Sequence, residues 1–265
     1  MTHCALLSGK YKSFLFNEIN PLVVELIKKA INGDYNYDKF KPKFITRKDF
    51  FEFKEKDGYI KYIWSFGNNG KSYLYGKNNE SLKNSLHDFV VFKIKNDFIK
   101  ENFNDIEEYI PNSIDDIHER RMLLSKYFKF KKIYSGGLEP LERLERLDLQ
   151  QNLLNFERLQ QLENLQPLKR LEFSSKSYEE YVYEEGDIVY CDPPYENTQK
   201  YSSEGFDSKK FYNWVATRNY PVYFSSYDNV NDERLKIIYM TVKKVTLCAT
   251  NNSLKKNECL YWNGK

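Results

Sequence analysis

The hydrophobic residues of this chain fall into short runs separated by polar stretches, and this pattern predicts a mixed α/β fold. Each apolar, β-branched or aromatic run is too short for a helix and is typical of a strand. A longer stretch, residues 22–31, has apolar positions at helical spacing and directly follows Pro21, which favours a helix start. Residues 47–134 have a largely helical pattern. The five predicted strands lie near Phe14, Ile188, Val222, Tyr239 and Leu260.

Residues 137–173 follow a different rule, because an apolar residue occupies every third position from Leu138 to Leu171 and Gln150 is the only polar exception. A period of three drifts about 60° per step around an α-helix, so it fits neither a simple amphipathic helix nor a heptad coiled coil. Short turns or 3₁₀-like pieces fit the period better. We expect a repeat-expanded insertion, with a surface interaction role as the sharper alternative.

Composition excludes several classes of protein. The chain has 265 residues, 17% aromatic and 30% charged, with a mean hydropathy of −0.72, which is typical of a globular protein and not of a disordered one. No apolar run approaches the length of a membrane span, and the amino end has no signal-like stretch, so we expect a cytoplasmic protein with no membrane partner. The four cysteines and three histidines show no ligand spacing, so we expect no disulfide and no metal.

The sequence D-I-V-Y-C-D-P-P-Y, residues 187–195, is the strongest chemical signal. A buried-type strand ends in Asp192, and open α/β sheets bind ligands at the carboxyl ends of their strands. Pro193 and Pro194 stiffen the backbone and leave its carbonyl groups free to accept hydrogen bonds. Asp192 and the Pro193 carbonyl together suit an amino group with two hydrogens, and Tyr195 offers a ring for stacking on a planar base.

This D-P-P-Y sequence resembles motif IV of the amino-methyltransferases, which use S-adenosylmethionine. The preceding S-S-K-S-Y-E-E-Y-V-Y-E-E-G-D is similar to the segment before motif IV in Dam-type DNA N6-adenine methyltransferases. F-D-S-K-K-F-Y-N-W and Y-P-V-Y-F-S-S-Y-D resemble the next helix and strand of phage-like members, and the final E-C-L-Y-W-N-G resembles their closing strand. F-L-F-N-E-I-N-P resembles motif II, and W-S-F-G-N-N-G-K-S-Y-L-Y-G resembles a loop near their active site. These segments follow the family's order.

The resemblance implies an S-adenosylmethionine-dependent methyltransferase sheet of Rossmann-like type, closed by an antiparallel pair of strands. It also implies that the sheet is N-terminally incomplete, because no F-x-G-x-G loop precedes Glu18 and residues 1–9 resemble only the helix after that loop. A misassigned start codon, a decayed copy or a separate N-terminal fragment that supplies the loop would each explain this. The expected regions are a partial cofactor-binding part (1–46), a helical target-recognition region (47–136), the leucine-triplet insertion (137–173) and the D-P-P-Y catalytic domain (174–265).

The resemblance also assigns roles to individual residues. It implies that Asp192 and Pro193 orient the amine of the target base, while Pro194 stiffens the turn and Tyr195 stacks on adenine. Further contacts to S-adenosylmethionine are expected from Glu18, Asn20 and Asp192, with Glu18 at the ribose. Contacts to DNA are expected from Asn68, Asn69 and Lys71.

The weak net charge of +3 is little indication of nucleic-acid binding, but two local basic clusters favour it. In the second cluster, aromatic residues are interleaved with the lysines, and these could pack against sugar or base. The first cluster contains Lys39, Lys41, Lys43, Arg47 and Lys48, and the second contains Lys126, Lys129, Lys131 and Lys132.

The predicted function is methyl transfer from S-adenosylmethionine to N6 of adenine in double-stranded DNA. Two alternatives stay open. One is an amino-methyltransferase that acts on RNA or on a protein glutamine, since related motifs occur in both. The other is a truncated DNA-binding remnant without activity.

Overall fold

Both units of the chain contain strands as well as helices, which confirms the predicted α/β class. The structure is a computed structural model that describes residues 11–135, 151–165, 171–195, 206–244 and 255–265. The chain separates into two units, Met1–Lys176 and Ser177–Lys265. The finer domain limits expected from the sequence stay predictions.

The first unit contains a parallel pair of strands, one near each end of its sequence, and a helix that follows the first strand. Strand β1 (Phe14–Asn17) pairs with β2 (Leu171–Ser174), with Phe14 opposite Leu171. Helix α1 (Pro21–Ile31) starts as predicted, because Asn20 Oδ1 accepts a hydrogen bond from the Leu22 amide at 3.0 Å. Both the predicted strand near residue 14 and the predicted helix over residues 22–31 are confirmed.

The remainder of the first unit is largely helical, as its sequence pattern predicts. A π-helical turn at Tyr59–Ile63 and 3₁₀ turns at Phe66–Asn68, Lys77–Asn79 and Gln161–Leu165 connect the helices. The helices are α2 (Arg47–Phe53), α3 (Glu80–Phe92), α4 (Asp97–Asn102), α5 (Ile106–Tyr109), α6 (Ile117–Ser135) and α7 (Gln151–Gln160).

Two large hydrophobic cores, and a smaller cluster around Ile31 and Leu165, stabilise this unit. One lies among α3, α4, α5 and α6, and the other lies among α1, α2 and the π-helical turn and contains Trp64 and Tyr59. The fully buried Arg120 closes the end of α3, where its guanidinium donates to the backbone carbonyls of Phe89 at 2.5 Å and Val90 at 2.9 Å. This cation satisfies carbonyls at the carboxyl end of a helix, where the dipole also favours positive charge.

The leucine-triplet segment contradicts the sequence expectation within the residues that the structure describes. Residues 151–160 form an α-helix, and the 3₁₀ turn begins only after it. Leu153, Phe156 and Leu159 together cover an arc of about 120° on α7, so they form one buried face despite the period of three. They enter both cores of the first unit, so the alternative of an exposed interaction surface is wrong for these residues. Leu138, Leu141, Leu144, Leu147 and Leu168 lie outside the described residues.

The second unit contains a four-stranded sheet in the order β3-β4-β6-β5. Strands β3 (Val189–Cys191) and β4 (Val222–Tyr227) are parallel, whereas β6 (Lys255–Trp262) is antiparallel to both β4 and β5 (Lys236–Lys244). The predicted strands and the closing antiparallel pair are therefore present. Helix α8 (Ser208–Ala216) covers one face of the sheet.

Disulfides, metal sites and membrane spans can be examined only in the residues that the structure describes. Cys191 and Cys259 are free thiols, whereas Cys4 and Cys248 lie outside the described residues. Among the residues that the structure describes, no group of three or more potential ligands could hold a metal ion. No helix within those same residues is both long and apolar enough to cross a membrane.

Candidate active site

The two faces of the sheet in the second unit differ in chemistry. Val222 and Phe224 of β4 point toward α8, where the Phe224 ring lies 5.6 Å from that of Phe211. Because side chains alternate along a strand, Ser225 belongs to the opposite face. Tyr190 of β3 lies on that face as well, since it pairs with Tyr223 in parallel register. The face away from α8 therefore carries polar groups beside aromatic rings.

Asp192 lies at the carboxyl end of β3, directly beside Ser225. Cys191 is opposite Phe224, so the next residue on each strand, Asp192 and Ser225, is brought to the same level. The Ser225 hydroxyl donates to Asp192 Oδ1 at 2.6 Å, and the Tyr190 hydroxyl donates to Ser225 Oγ at 3.1 Å. Desolvation raises the pKa of Tyr190, so its hydroxyl remains a donor.

The D-P-P-Y turn presents hydrogen-bond acceptors without partners. Asp192 is exposed, and its Oδ2 accepts no hydrogen bond from any described residue. The Pro193 carbonyl likewise has no donor within the part of the chain that the structure describes. A carboxylate oxygen and a neighbouring carbonyl can together accept the two hydrogens of a primary amine.

The ring of Tyr195 is held from two sides. Its hydroxyl donates to Glu258 Oε1 at 2.9 Å, and the ring meets that of Tyr227 edge to face with centroids 4.9 Å apart. Lys256 Nζ lies 4.3 Å from the centroid of the Tyr227 ring. This arrangement fixes an aromatic surface next to the Asp192 acceptor.

Cys191 has a structural and not a nucleophilic environment. Its side chain packs with the core beneath the sheet, and desolvation raises the pKa of the thiol to about 12. The thiol therefore stays protonated near neutral pH, as expected for a small residue that fills a core.

In the first unit, Glu18 and Asn20 form a compact turn between β1 and α1. Glu18 Oε1 accepts a hydrogen bond from the Asn20 amide at 3.0 Å, and its Oε2 has no partner among the described residues. Asn20 caps α1 and also donates through Nδ2 to the Tyr62 hydroxyl at 2.6 Å. Glu18 therefore keeps an oxygen that fits a ribose hydroxyl, whereas most hydrogen-bonding capacity of Asn20 holds the turn together.

The loop of residues 64–76 has buried ends and a tight turn in its middle that reaches the surface of the first unit. Gly67, Asn68 and Gly70 all have positive φ, at 58°, 56° and 67°. Asn69 Oδ1 accepts hydrogen bonds from the backbone amides of Lys71 at 2.7 Å and Ser72 at 3.0 Å. The oxygen of Asn69 therefore stabilises the loop, while the side chains of Asn68 and Lys71 are exposed.

The second basic cluster exposes lysines, but its aromatic residues are part of the protein core. Lys126 and Lys129 of the second cluster are exposed, but the interleaved Tyr127 and Phe128 are buried in the core of the first unit. These two rings cannot pack against a sugar or base without unfolding α6. The side chains of Lys132 and Tyr134 lie outside the described residues.

Sequence reasoning identified the turn but missed the residues that support it. Ser225, Tyr190 and Glu258 come from three strands, and each is more than thirty residues from the group that it contacts. The signal that could have found Ser225 was the alternation of V-Y-F-S-S-Y together with a parallel register.

The predicted residues divide between the two units. Glu18, Asn20 and residues 68–71 belong to the first, and the D-P-P-Y turn belongs to the second. A comparison of the sequence with protein-family models and with curated proteins finds no match.

Proposed function

We propose that this protein transfers a methyl group from S-adenosylmethionine to N6 of adenine in double-stranded DNA. The observation that carries the proposal is the exposed Asp192 carboxylate in a D-P-P-Y turn, at the carboxyl end of the parallel strand β3. Ligands of open α/β sheets bind at such strand ends. The parallel pair β3–β4 and the antiparallel pair β5–β6 of the second unit also support a methyltransferase-type sheet, as the sequence resemblance implies.

The groups around the turn suit the chemistry of an exocyclic amine. Asp192 Oδ2 and the Pro193 carbonyl accept the two N6 hydrogens. The nitrogen lone pair itself makes no hydrogen bond and stays available to attack the methyl group. Tyr195 stacks on the adenine ring, and Pro194 keeps the turn rigid. The base leaves the DNA stack to reach this turn, at a cost of a few kcal/mol.

The cofactor would supply an electrophilic methyl group on a sulfonium. Glu18 is the residue that fits it best, because one carboxylate oxygen remains available for a ribose hydroxyl. Asn20 contributes mainly by fixing the turn that carries Glu18. Asp192 is proposed to contact the cofactor as well as the amine, but to serve the chemistry more than the affinity for the cofactor.

The loop of residues 64–76 is the proposed DNA contact in the first unit. Lys71 is suited to a phosphate, and Asn68 has an exposed amide without a partner among the described residues. Asn69 keeps only its Nδ2 for such a contact, because Oδ1 is used within the loop.

The test is a substrate panel with radiolabelled S-adenosylmethionine. We expect label in double-stranded DNA that lacks N6-methyladenine, and not in transfer RNA or protein. Asp192→Asn, which removes a negative acceptor oxygen, is expected to lower kcat by about 100-fold or more. Glu185→Gln is the matched control, since Glu185 is exposed shortly before β3 and contacts no described residue through a hydrogen bond.

Other outcomes would reject the proposal in distinct ways. Label only in transfer RNA or protein would favour the RNA or glutamine amino-methyltransferase alternative. DNA binding without any label transfer would favour the alternative of a DNA-binding protein without activity. An equal loss of kcat in Asp192→Asn and Glu185→Gln would contradict a specific role of Asp192 in the reaction.

A further inference from the structure

We propose that Ser225 is a positioning residue for Asp192 and that Tyr190 fixes the direction of the Ser225 hydroxyl. This inference rests on the proposed function, because it assigns Ser225 to the same amine-binding turn. It names a residue on β4, outside the D-P-P-Y sequence, that sets the geometry of that turn.

The direction of the two hydrogen bonds follows from their chemistry. An ionised carboxylate only accepts, so the hydroxyl hydrogen of Ser225 must lie between Oγ and Asp192 Oδ1, which are 2.6 Å apart. Ser225 then has no hydrogen left for Tyr190, so Tyr190 must be the donor across the 3.1 Å contact. The chain Tyr190 to Ser225 to Asp192 therefore has a single possible polarity.

This polarity gives the two carboxylate oxygens of Asp192 different roles. Oδ1 is held by a short, charge-assisted hydrogen bond, and Oδ2 has no partner among the residues that the structure describes. Asp192 is exposed, so without Ser225 its side chain would rotate among several conformers. Fixing one oxygen of the carboxylate also fixes the orientation of the other relative to the backbone of the turn, which is what a two-hydrogen donor requires.

The neighbouring serine provides an internal comparison. Ser226 is also buried, but its side chain lies on the face toward α8, and its hydroxyl has no hydrogen-bond partner within the described part of the chain. Ser226→Ala therefore removes the same atom from the same strand without touching Asp192. Ser225→Thr keeps the hydroxyl, and Tyr190→Phe removes only the hydrogen bond that Tyr190 donates to Ser225.

The first experiment is structural and does not depend on activity. Crystal structures of the wild type, Ser225→Ala and Ser226→Ala are compared at the Asp192 side chain. We expect Asp192 to leave its orientation only in Ser225→Ala. If Asp192 keeps the same conformer in Ser225→Ala, the positioning role is wrong.

The second experiment separates kcat from KM, using radiolabelled S-adenosylmethionine and unmethylated double-stranded DNA. Ser225→Ala is expected to lower kcat about 10- to 100-fold, as for a misplaced reacting group, with KM for S-adenosylmethionine within about twofold. Ser225→Thr is expected to recover most of the lost kcat, Tyr190→Phe to lower it by less than Ser225→Ala, and Ser226→Ala to leave it unchanged. Equal losses in the two serine variants, or no recovery with threonine, would overturn the proposal.

The two experiments also separate this inference from the proposed function. A wild type that transfers no methyl group, combined with an Asp192 that moves only in Ser225→Ala, would reject the proposed function and keep the positioning role. Methyl transfer that Ser225→Ala leaves unchanged would keep the proposed function and reject the positioning role.

Discussion

Among single residues, His87 in α3 has a tightly constrained environment outside the candidate site. Its ring is fully buried, and its two nitrogens contact the Pro42 carbonyl at 2.8 Å and Asn152 Nδ2 at 2.9 Å. The Tyr75 hydroxyl donates to Asn152 Oδ1 at 2.6 Å. Since a carbonyl only accepts and an amide NH₂ only donates, the ring is neutral with its proton on Nε2. The helical pattern E-S-L-K-N-S-L-H-D favours a surface or capping histidine, and for His87 this expectation is wrong.

The buried ring predicts a loss of stability on mild acidification. Desolvation lowers the pKa of His87 from 6.5 to about 4 in the folded state. As the pH falls, the unfolded chain therefore binds a proton before the folded protein does. The contribution of His87 to the free energy of unfolding is fully present above pH 6.5 and is lost as the pH drops toward 4, by about 3 kcal/mol in total. Chemical denaturation at several pH values should show this slope in the wild type and a shallower one in His87→Gln. Identical slopes would contradict the buried neutral ring.

Asp192 and Ser225 differ in how much of their environment can be predicted from the sequence. The position of Asp192 at the end of a strand was predictable because it depends on immediate neighbours, a strand before it and two prolines after it. Ser225 and His87 depend on partners 33 to 65 residues away, so only the strand register and the packing of helices bring those partners together. A local pattern contains no information on such contacts unless the register is known.

Among the helices and strands, α7 departs most from its sequence pattern. A period of three excludes a long straight stripe, but α7 has only ten residues, so the drift does not separate its apolar positions. Leu153 contributes to one core of the first unit, while Phe156 and Leu159 contribute to the other. The helix joins the two cores, which explains why its apolar face is broader than a heptad seam would allow.

This position predicts a large stability difference between two neighbouring residues of α7. Phe156 is fully buried and lies within 6.1 Å, centroid to centroid, of the Tyr35 and Tyr59 rings, so Phe156→Ala is expected to cost about 3–5 kcal/mol. Leu154 is only half-buried and belongs to neither core, so Leu154→Ala should cost less than about 1 kcal/mol. Urea denaturation measures both. A neutral Phe156→Ala would instead restore the alternative of an exposed interaction surface.

For the whole molecule, the distribution of charge matters more than its sum. A net charge of +3 on 265 residues gives little attraction for a polyanion. Arg47 is occupied by Glu80 and the Tyr75 carbonyl, so it contributes little to a free basic surface. The other members of the first basic cluster are exposed and make no ion pair with any described residue. They are Lys39, Lys41, Lys43 and Lys48.

We expect these four lysines to account for much of the affinity for DNA, which the proposed function requires. Replacing all four by glutamine changes the net charge from +3 to −1. It should reduce the slope of log affinity against log salt concentration by about 3.6, since each phosphate contact contributes about 0.9. Anisotropy titrations of a labelled duplex at increasing salt measure this slope.

The matched control removes the same charge from lysines that already pair with carboxylates. Lys29, Lys93, Lys95 and Lys100 each lie within 3.0 Å of an acidic oxygen. Replacing these four by glutamine also changes the net charge from +3 to −1, but it should leave the slope nearly unchanged because their charges are already compensated locally. If both quadruple variants lose affinity and slope equally, the basic cluster is not a DNA contact and only the net charge acts. If neither variant changes the slope, DNA binding does not depend on this surface at all.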